Sequence, residues 1–167
     1  ANIDVAVVST PNFTHIEVMR DIFDTDKHVL LEKPMCTNLA DGLEVLDRSK
    51  RHRGLVWVGL EYRFMSPIQA MMRHVGEVGE IKMLSIREHR FPFLKKVGDW
   101  NRFNEKTGGT LVEKCCHFFD LMNLMIHSVP VKIYASGGQS VNHLDECYSG
   151  KTPDILDNSF VIVDFEK

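Results

Sequence analysis

The sequence predicts an α/β fold in which a parallel sheet is followed by a second unit of mixed helices and strands. In residues 4–60, short apolar runs that end at polar residues or proline alternate with segments of helical periodicity, which is typical of a β-α-β-α-β unit. From residue 66 this alternation stops and longer segments follow. With 167 residues and 44% hydrophobic content, the chain can form one ordinary domain or parts of two.

Five elements are predicted in the first part of the chain. The strands are continuous apolar runs of the kind found in strands that are buried on both faces. The second strand must stop at Pro34, and the second helix has a start signal in Asn38 and Asp41. In order, these elements are strand 4–9, helix 14–23, strand 28–34, helix 38–53 and strand 55–60.

Polar residues or prolines follow each of these strands. Right-handed parallel connections place the carboxyl ends of all three strands at one edge of the sheet, where open α/β sheets bind ligands. The sequence therefore predicts one crevice at this edge. The segments expected there are Ser9-Thr10-Pro11, Glu32-Lys33-Pro34 and Glu61-Tyr62-Arg63.

This pattern predicts the C-terminal half of a Rossmann-type nucleotide-binding sheet. The G-x-G-x-x-G turn that holds a pyrophosphate in the other half does not occur in the sequence, and the chain opens with Ala1 almost directly before a strand. We therefore expect a truncated chain that binds a dinucleotide poorly by itself.

The second unit is predicted to be part of an α+β domain with an open, mostly antiparallel sheet. We expect the Rossmann-type part to occupy residues 1–61 and the second unit to occupy residues 62–167. The long helix of this unit follows Gly108-Gly109 and carries a buried apolar stripe. Its predicted elements are helix 66–75, strand 81–91, loop 100–107, helix 110–126, strand 131–135, loop 142–154 and strand 158–165.

Three polar residues of the long helix could form a catalytic face. Glu113, His117 and Asp120 are four and three residues apart, so they lie on one side of a helix, largely apart from the apolar stripe. A carboxylate one turn from an imidazole can fix its tautomer and raise its basicity, which suits the removal of a hydroxyl proton. A solvated face or a structural histidine with satisfied hydrogen bonds explains the same spacing.

The other polar candidates also have simpler explanations. Lys33 at a strand end could be an ordinary surface charge that Glu32 neutralises. Cys115 and Cys116 next to His117 could indicate a soft metal, but adjacent helical positions point about 100° apart and no fourth ligand has suitable spacing. Core cysteines are the better interpretation, and no metal site is predicted.

Composition favours a small ligand and a reducing compartment. The net charge of -3 creates no field that would recruit nucleic acid or an anionic membrane, and no apolar run reaches the ~18 residues of a membrane span. The four cysteines show no C-x-x-C spacing and no disulfide framework. We therefore expect a cytoplasmic protein.

Four motifs together resemble the glucose-fructose oxidoreductase, inositol dehydrogenase and rhizopine catabolism (Gfo/Idh/MocA) family. They occur in the family order and cover nearly the whole chain. The motifs are Ser-Thr-Pro-Asn-Phe-Thr-His at 9–15, Glu-Lys-Pro at 32–34, Tyr-Arg-Phe with Pro67 at 62–67, and Gly-Gly-Thr-Leu-Val-Glu-Lys-Cys-Cys-His-Phe-Phe-Asp at 108–120.

The resemblance implies a dinucleotide-binding domain and a substrate domain, with NAD or NADP as cofactor and a sugar, cyclitol or polyol as substrate. Lys33 is similar to the family's site lysine, and His117 matches its proton acceptor. Glu113 stands where many members carry aspartate, as a partner of the histidine or a ligand of the substrate. By the same resemblance, the residues that line the dinucleotide are Ser9, Thr10, Pro11, His15, Glu32, Lys33 and Pro34, and those near the substrate are Lys33, Tyr62, Arg63, Glu113 and His117.

These roles imply that His117 takes the hydroxyl proton, Lys33 polarises the oxygen, and hydride passes to the nicotinamide. Family analogy also implies a homo-oligomer, a dimer or tetramer formed through the sheet of the substrate domain. The alternative function is that of a relative that binds the dinucleotide as a regulator or scaffold without turnover.

Overall fold

The computed structural model describes residues 3–166 and contains a parallel sheet followed by a two-stranded antiparallel sheet. The first part alternates strands and helices as predicted. Its elements are β1 (Val5–Val8), a 3₁₀ turn (Asn12–Thr14), α1 (His15–Phe23), β2 (His28–Glu32), α2 (Leu39–Ser49) and β3 (Val56–Gly59). The predicted start of α2 is confirmed, because the side chain of Asn38 accepts a hydrogen bond from the backbone N–H of Asp41 at 3.0 Å.

The first sheet has the strand order β1-β2-β3, with both pairs parallel. Two right-handed crossovers in the same direction place α1 and α2 on the same face. The core lies between this face and the helices. It contains Val8, Ile16, Met19, Val29, Leu31, Cys36 and Val45.

The expectation that these strands are buried on both faces is wrong for the part of the chain that the structure describes. Val29 and Leu31 of β2 are buried, whereas Leu30 between them is exposed, as are Val7 and Trp57 on the flanking strands. Within residues 3–166, helices cover one face only, so alternate residues of each strand face solvent.

The second unit begins with a 3₁₀ turn after β3 and ends with an antiparallel hairpin of two long strands. Its helices are shorter than predicted. Its elements are a 3₁₀ turn (Glu61–Phe64), α3 (Ser66–His74), 3₁₀ turns (Val75–Val78 and Val97–Arg102), α4 (Asn104–Thr107), α5 (Thr110–Glu113), α6 (Cys116–Ile126), β4 (Pro130–Gly138) and β5 (Asn158–Phe165). None of the described helices is both long and apolar enough to cross a membrane.

Three predictions about the second unit are wrong. Residues 81–91 form no strand, because among the described residues no segment pairs with them and a strand needs a hydrogen-bonded neighbour. The predicted loop 100–107 consists of the end of a 3₁₀ turn and the short helix α4. The predicted helix 110–126 is interrupted at residues 114 and 115, which separates α5 from α6.

We expect Leu31→Ala to lower the free energy of unfolding by about 2–5 kcal/mol, since Leu31 is 0% exposed in the central strand and its truncation leaves a cavity. Urea denaturation followed by circular dichroism measures this change. The control is Leu31→Met, which conserves volume and should cost less than about 1.5 kcal/mol. Equal losses in the two variants would contradict the packing described for this face of the sheet.

Candidate functional site

The carboxyl ends of the three parallel strands lie at one edge of the sheet, as predicted. Val8 pairs with Leu31, and Glu32 pairs with Gly59, so the segments after these strands emerge side by side. The Glu32 carboxylate accepts a hydrogen bond from the backbone N–H of Lys33 at 3.2 Å. Its partner is therefore the backbone rather than the ammonium group of Lys33.

The Lys33 ammonium group connects this edge to the second unit. Its Nζ donates a hydrogen bond to the backbone carbonyl of Glu113 at 2.9 Å. Helix α5 ends at Glu113, and the last carbonyls of a helix lack intrahelical partners. The interruption between α5 and α6 thus frees the acceptor that Lys33 uses.

Gly108 allows the second unit to approach the segment after β2 this closely. A Cβ atom at Gly108 would lie 2.6 Å from the carbonyl oxygen of Thr37, and the φ of Gly108 is +78°, a conformation that favours glycine. A side chain at Gly108 would therefore push α5 away from the strand edge. The adjacent Gly109 has a φ of +84°, and a Cβ atom there would lie 2.7 Å from the side-chain oxygen of Asn104.

His117 is buried and lines a cleft of about 270 Å³ that is also lined by Lys33. Its side chain is 1% exposed, and its ring stacks on Tyr62 with centroids 4.1 Å apart and planes 7° from parallel. Its Nε2 lies 3.4 Å from a carboxylate oxygen of Glu61, and its Nδ1 is buried with no hydrogen-bond partner among the described residues. His117 is therefore neither on a solvated face nor a structural histidine with satisfied hydrogen bonds.

Burial lowers the pKa of His117 below its ordinary 6.5, because the low-dielectric surroundings disfavour the imidazolium. The Glu61 carboxylate opposes this shift, whereas the positive charges of Lys33 and Lys114 add to it. The imidazole is thus neutral at pH 7 and can accept a proton. By linkage, its contribution to folding stability is present above pH 6.5 and declines as the pH falls below that value, because the unfolded chain then binds more protons.

The structure does not bring Glu113 and His117 together as a hydrogen-bonded pair. Glu113 is 6% exposed and lines the same cleft, but its carboxylate accepts from Lys96 at 3.2 Å. The carboxylate next to His117 is that of Glu61. The third member of the predicted face, Asp120, forms a two-bond ion pair with Arg63.

Tyr62 and Arg63, which were expected near the substrate, have protein partners in the structure. Tyr62 covers a face of the His117 ring, and its hydroxyl contacts the ammonium group of Lys114. The guanidinium group of Arg63 forms an ion pair with the carboxylate of Asp120. Neither residue lines the 270 Å³ cleft.

Two residues expected at the dinucleotide are buried beneath the strand edge. His15 is 1% exposed, with Nδ1 2.9 Å from the carbonyl oxygen of Pro34 and Nε2 3.0 Å from that of Thr10. Pro34 is buried as well. His15 therefore joins the segments after β1 and β2, while Ser9, Thr10 and Glu32 remain exposed at the edge.

The exposed edge has groups that suit the nicotinamide end of a dinucleotide. Thr10 and Lys33 offer hydrogen-bond donors for ribose hydroxyls or a carboxamide. Next to Pro11, the side-chain nitrogen of Asn12 is buried and has no hydrogen-bond partner among the described residues. These residues fit NAD or NADP at this edge of the sheet.

The sequence interpretation missed the residues that the segment 90–101 adds to the cleft. They were missed because residues 90 and 91 were assigned to a predicted strand and residues 92–99 to no element, although the closely spaced aromatic and basic residues were a usable signal. Glu61 was placed at a strand end but given no role. The residues added from the segment 90–101 are Arg90, Phe91, Phe93, Leu94, Lys96 and Asn101.

The adjacent cysteines belong to the packing around the site. Burial raises the pKa of Cys116 to about 11 and also raises that of Cys115. Both thiols are therefore protonated at neutral pH and are poor metal ligands.

A larger cleft of about 400 Å³, lined by Asp99, Cys147 and Lys151 among others, contains none of the predicted site residues.

Sequence profiles of one family match both parts of the chain. The profile described as "Oxidoreductase family, NAD-binding Rossmann fold" matches residues 1–60, and that described as "Oxidoreductase family, C-terminal alpha/beta domain" matches residues 74–167. Both descriptions agree with the sheet and the second unit described above.

Among individual proteins, the chain resembles a putative UDP-kanosamine synthase oxidoreductase subunit of Amycolatopsis mediterranei. The two sequences are 32% identical over 125 residues, and the alignment covers 74% of this chain and 35% of that protein. It is 26% identical to the myo-inositol 2-dehydrogenase of Thermotoga maritima, covering 99% of this chain and 47% of that protein. The chain thus spans between about a third and a half of the length of these relatives.

A solved structure shows the same fold. The WlbA dehydrogenase of Bordetella pertussis, in complex with NADH and UDP-GlcNAcA, superposes with a TM-score of 0.78 at 19% identity, covering 99% of this chain and 46% of that one.

We expect the pKa of His117, measured by NMR titration of its imidazole protons in the full-length protein, to lie below 6.5. Glu61→Gln should lower it further, because the nearby negative charge is removed, and Lys33→Met should raise it. Glu77→Gln, which removes a carboxylate paired with His74 instead, is the control and should leave the titration unchanged. A His117 pKa that does not respond to Glu61→Gln would show that the 3.4 Å approach does not exist in solution.

Proposed function

Because this chain belongs to the glucose-fructose oxidoreductase, inositol dehydrogenase and rhizopine catabolism family of NAD-binding oxidoreductases, we propose that it forms the catalytic cleft of a dehydrogenase. The enzyme transfers hydride between NAD or NADP and a sugar, cyclitol or related polyol. The observation that carries this proposal is the position of Lys33 and His117 in one cleft beside the carboxyl ends of parallel strands.

In the oxidative direction, His117 accepts the proton of the reacting hydroxyl. Its neutral state at pH 7 supports this role, since burial holds its pKa below 6.5. Glu61 beside Nε2 stabilises the imidazolium that forms after proton transfer. The stacked ring of Tyr62 restricts the orientation of the imidazole.

Lys33 polarises the reacting oxygen. An ammonium group has three donors, and one of them is used by the carbonyl of Glu113 at 2.9 Å, which fixes the direction of the side chain. The remaining donors can reach an alcohol oxygen and a ribose hydroxyl. Glu113 lies next to Lys33 in the cleft and serves as a ligand of substrate hydroxyls.

The dinucleotide supplies the hydride acceptor when it is bound. Ser9, Thr10 and Pro11 after β1, with Glu32 and Lys33 at the end of β2, form its binding surface in this proposal. The orphaned amide of Asn12 and the exposure of Ser9 and Thr10 support it.

Residues 1–61 are proposed to form the dinucleotide-binding unit, and residues 62–167 to form the substrate-binding unit. The parallel sheet ends at Gly59 and the site helix α6 lies in the second unit, which supports this division.

We propose a cytoplasmic location because all four cysteines are free thiols, as expected in a reducing compartment.

We expect Lys33→Met and His117→Asn in the full-length protein to lower turnover by about 10²- to 10⁴-fold, the range for losing a general acid–base group. The measurement is the rate of NAD or NADP reduction with a panel of sugars, inositols and polyols. Lys27→Met, which replaces a lysine just before β2 rather than just after it, is the matched control and should keep wild-type turnover.

Unchanged turnover in Lys33→Met or His117→Asn would contradict the assigned roles. Dinucleotide binding without reduction by any polyol in the panel would favour the alternative function, a regulator or scaffold of the same fold. Binding is measured separately by calorimetry, so these two results are distinguishable.

The exposed apolar face of the β4-β5 hairpin supports assembly into a dimer or tetramer. Tyr134 pairs with Ile162, and Ser136 pairs with Phe160, so these side chains share a face. Phe160 is 82% exposed and Ile162 is 62% exposed. Large apolar side chains that cluster on a surface are typical of protein–protein interfaces.

We expect Phe160→Glu to shift the full-length protein toward the monomer, because it places a charge in the proposed apolar interface. Sedimentation velocity at several concentrations measures the oligomeric state. Lys50→Glu, which reverses an exposed charge at the end of α2 in the first unit, is the control and should leave the oligomeric state unchanged. A wild-type protein that is monomeric at all concentrations would contradict the assembly.

A further inference from the structure

The cleft that contains Lys33 and His117 has an excess of positive charge. Its lining includes four cationic side chains and two carboxylates, which leaves an excess of two positive charges when His117 is neutral. A cleft whose charges are mainly of one sign concentrates ligands of the opposite sign. The cations are Lys33, Arg90, Lys96 and Lys114, and the carboxylates are Glu61 and Glu113.

The cations differ in whether their charge is already neutralised. Lys96 lies 3.2 Å from Glu113, and Lys114 lies 3.3 Å from Glu88. Within residues 3–166, no carboxylate lies within ion-pair distance of Arg90. Arg90 is therefore the lining cation, besides Lys33, whose charge remains available to a ligand.

Aromatic rings hold the guanidinium of Arg90 at the cleft. It lies 5.4 Å from the ring centroid of Phe91 and 5.3 Å from that of Phe93, and both rings also line the cleft. Cation–π contacts of this kind orient a guanidinium without neutralising its charge. Its planar donors suit the two oxygens of a carboxylate or phosphate.

Buried polar groups hold the backbone of this segment in place. The side chain of Asn101, which is buried, donates to the carbonyl of Leu94 at 2.8 Å and accepts from the N–H of Lys96 at 3.3 Å. Buried Arg102 donates to the carbonyl of Phe93 at 3.0 Å. These hydrogen bonds hold the backbone at residues 93, 94 and 96, which follow Arg90 closely in the chain.

We propose that the substrate of this cleft is a sugar or polyol that carries an anionic group, a phosphate or a carboxylate, and that Arg90 binds this group. This inference rests on the proposed function and specifies its substrate class. The diphosphate of the dinucleotide is a poorer candidate for Arg90, because in doubly wound sheets it binds at the first strand-to-helix turn, whereas Arg90 lies in the second unit next to Phe93.

The test is calorimetric titration of the full-length protein with glucose, glucose 6-phosphate and glucuronate. At least one of the two anionic sugars should bind at least tenfold more tightly than glucose, and the preference should shrink as salt is added. Comparison of the two identifies phosphate or carboxylate as the group that is recognised. Arg90→Gln should weaken binding of the preferred anion about 10- to 100-fold, the effect of losing a hydrogen bond to a charged group.

Two further variants make this result specific. Arg90→Lys keeps the charge but loses the planar donor pair, so it should retain part of the preference. Arg87→Gln removes an exposed arginine of the same segment that does not line the cleft, and it should leave all affinities unchanged.

Equal affinity for glucose and both anionic sugars, or equal effects of Arg90→Gln and Arg87→Gln, would overturn the proposal. So would a loss of NAD or NADP affinity in Arg90→Gln that exceeds the loss of sugar affinity, since Arg90 would then serve the dinucleotide. Because binding is measured without turnover, a protein that binds glucose 6-phosphate through Arg90 but reduces no dinucleotide would contradict the proposed dehydrogenase and support this site.

Discussion

Parallel pairing of β2 with a strand on each side is the constraint on which the rest of the structure depends. With Val8 opposite Leu31 and Glu32 opposite Gly59, three chain segments must leave the sheet at the same edge. The buried side chains of Val29 and Leu31 prevent β2 from shifting by one residue, because such a shift would exchange its core and solvent faces. The position of Lys33 at this edge therefore follows from the packing of the strand before it.

The second unit is attached to this edge by backbone geometry as much as by side chains. Helix α5 stops at Glu113, which leaves a carbonyl for the Lys33 ammonium at 2.9 Å, and Gly108 allows the close approach of α5. One contact thus has two effects, because it joins the units and also directs the lysine into the cleft. His15 has a comparable role beneath the edge, where its ring lies between the carbonyls of Thr10 and Pro34.

The electrostatics of the cleft result from opposing contributions. Burial and the charges of Lys33 and Lys114 favour neutral His117, whereas Glu61 favours the imidazolium. A base must be neutral before the reaction and tolerate a proton after it, and this arrangement provides both properties. Glu88 balances the charge of Lys114, whereas no described carboxylate lies within ion-pair distance of Arg90, and an anionic ligand would balance that charge.

The sequence by itself determined the β-α-β-α-β order, the common edge of the strand ends, and the identity of Lys33, Glu113 and His117 as site candidates. The strand order and the common edge depend on local apolar patterns, on Pro34 and on the handedness of parallel connections. The three site candidates depend on a strand-end position, on helical spacing and on the family resemblance, which are also visible without coordinates. The tertiary structure decided which groups contact one another. It interrupted the predicted helix 110–126, gave His117 the neighbours Glu61 and Tyr62 instead of Glu113, and brought Arg90 into the cleft from residues 81–91, which had been predicted to form a strand. These contacts join residues far apart in the chain and depend on hydrogen bonds at helix ends and on the burial of charge, neither of which leaves a periodic signal in the sequence.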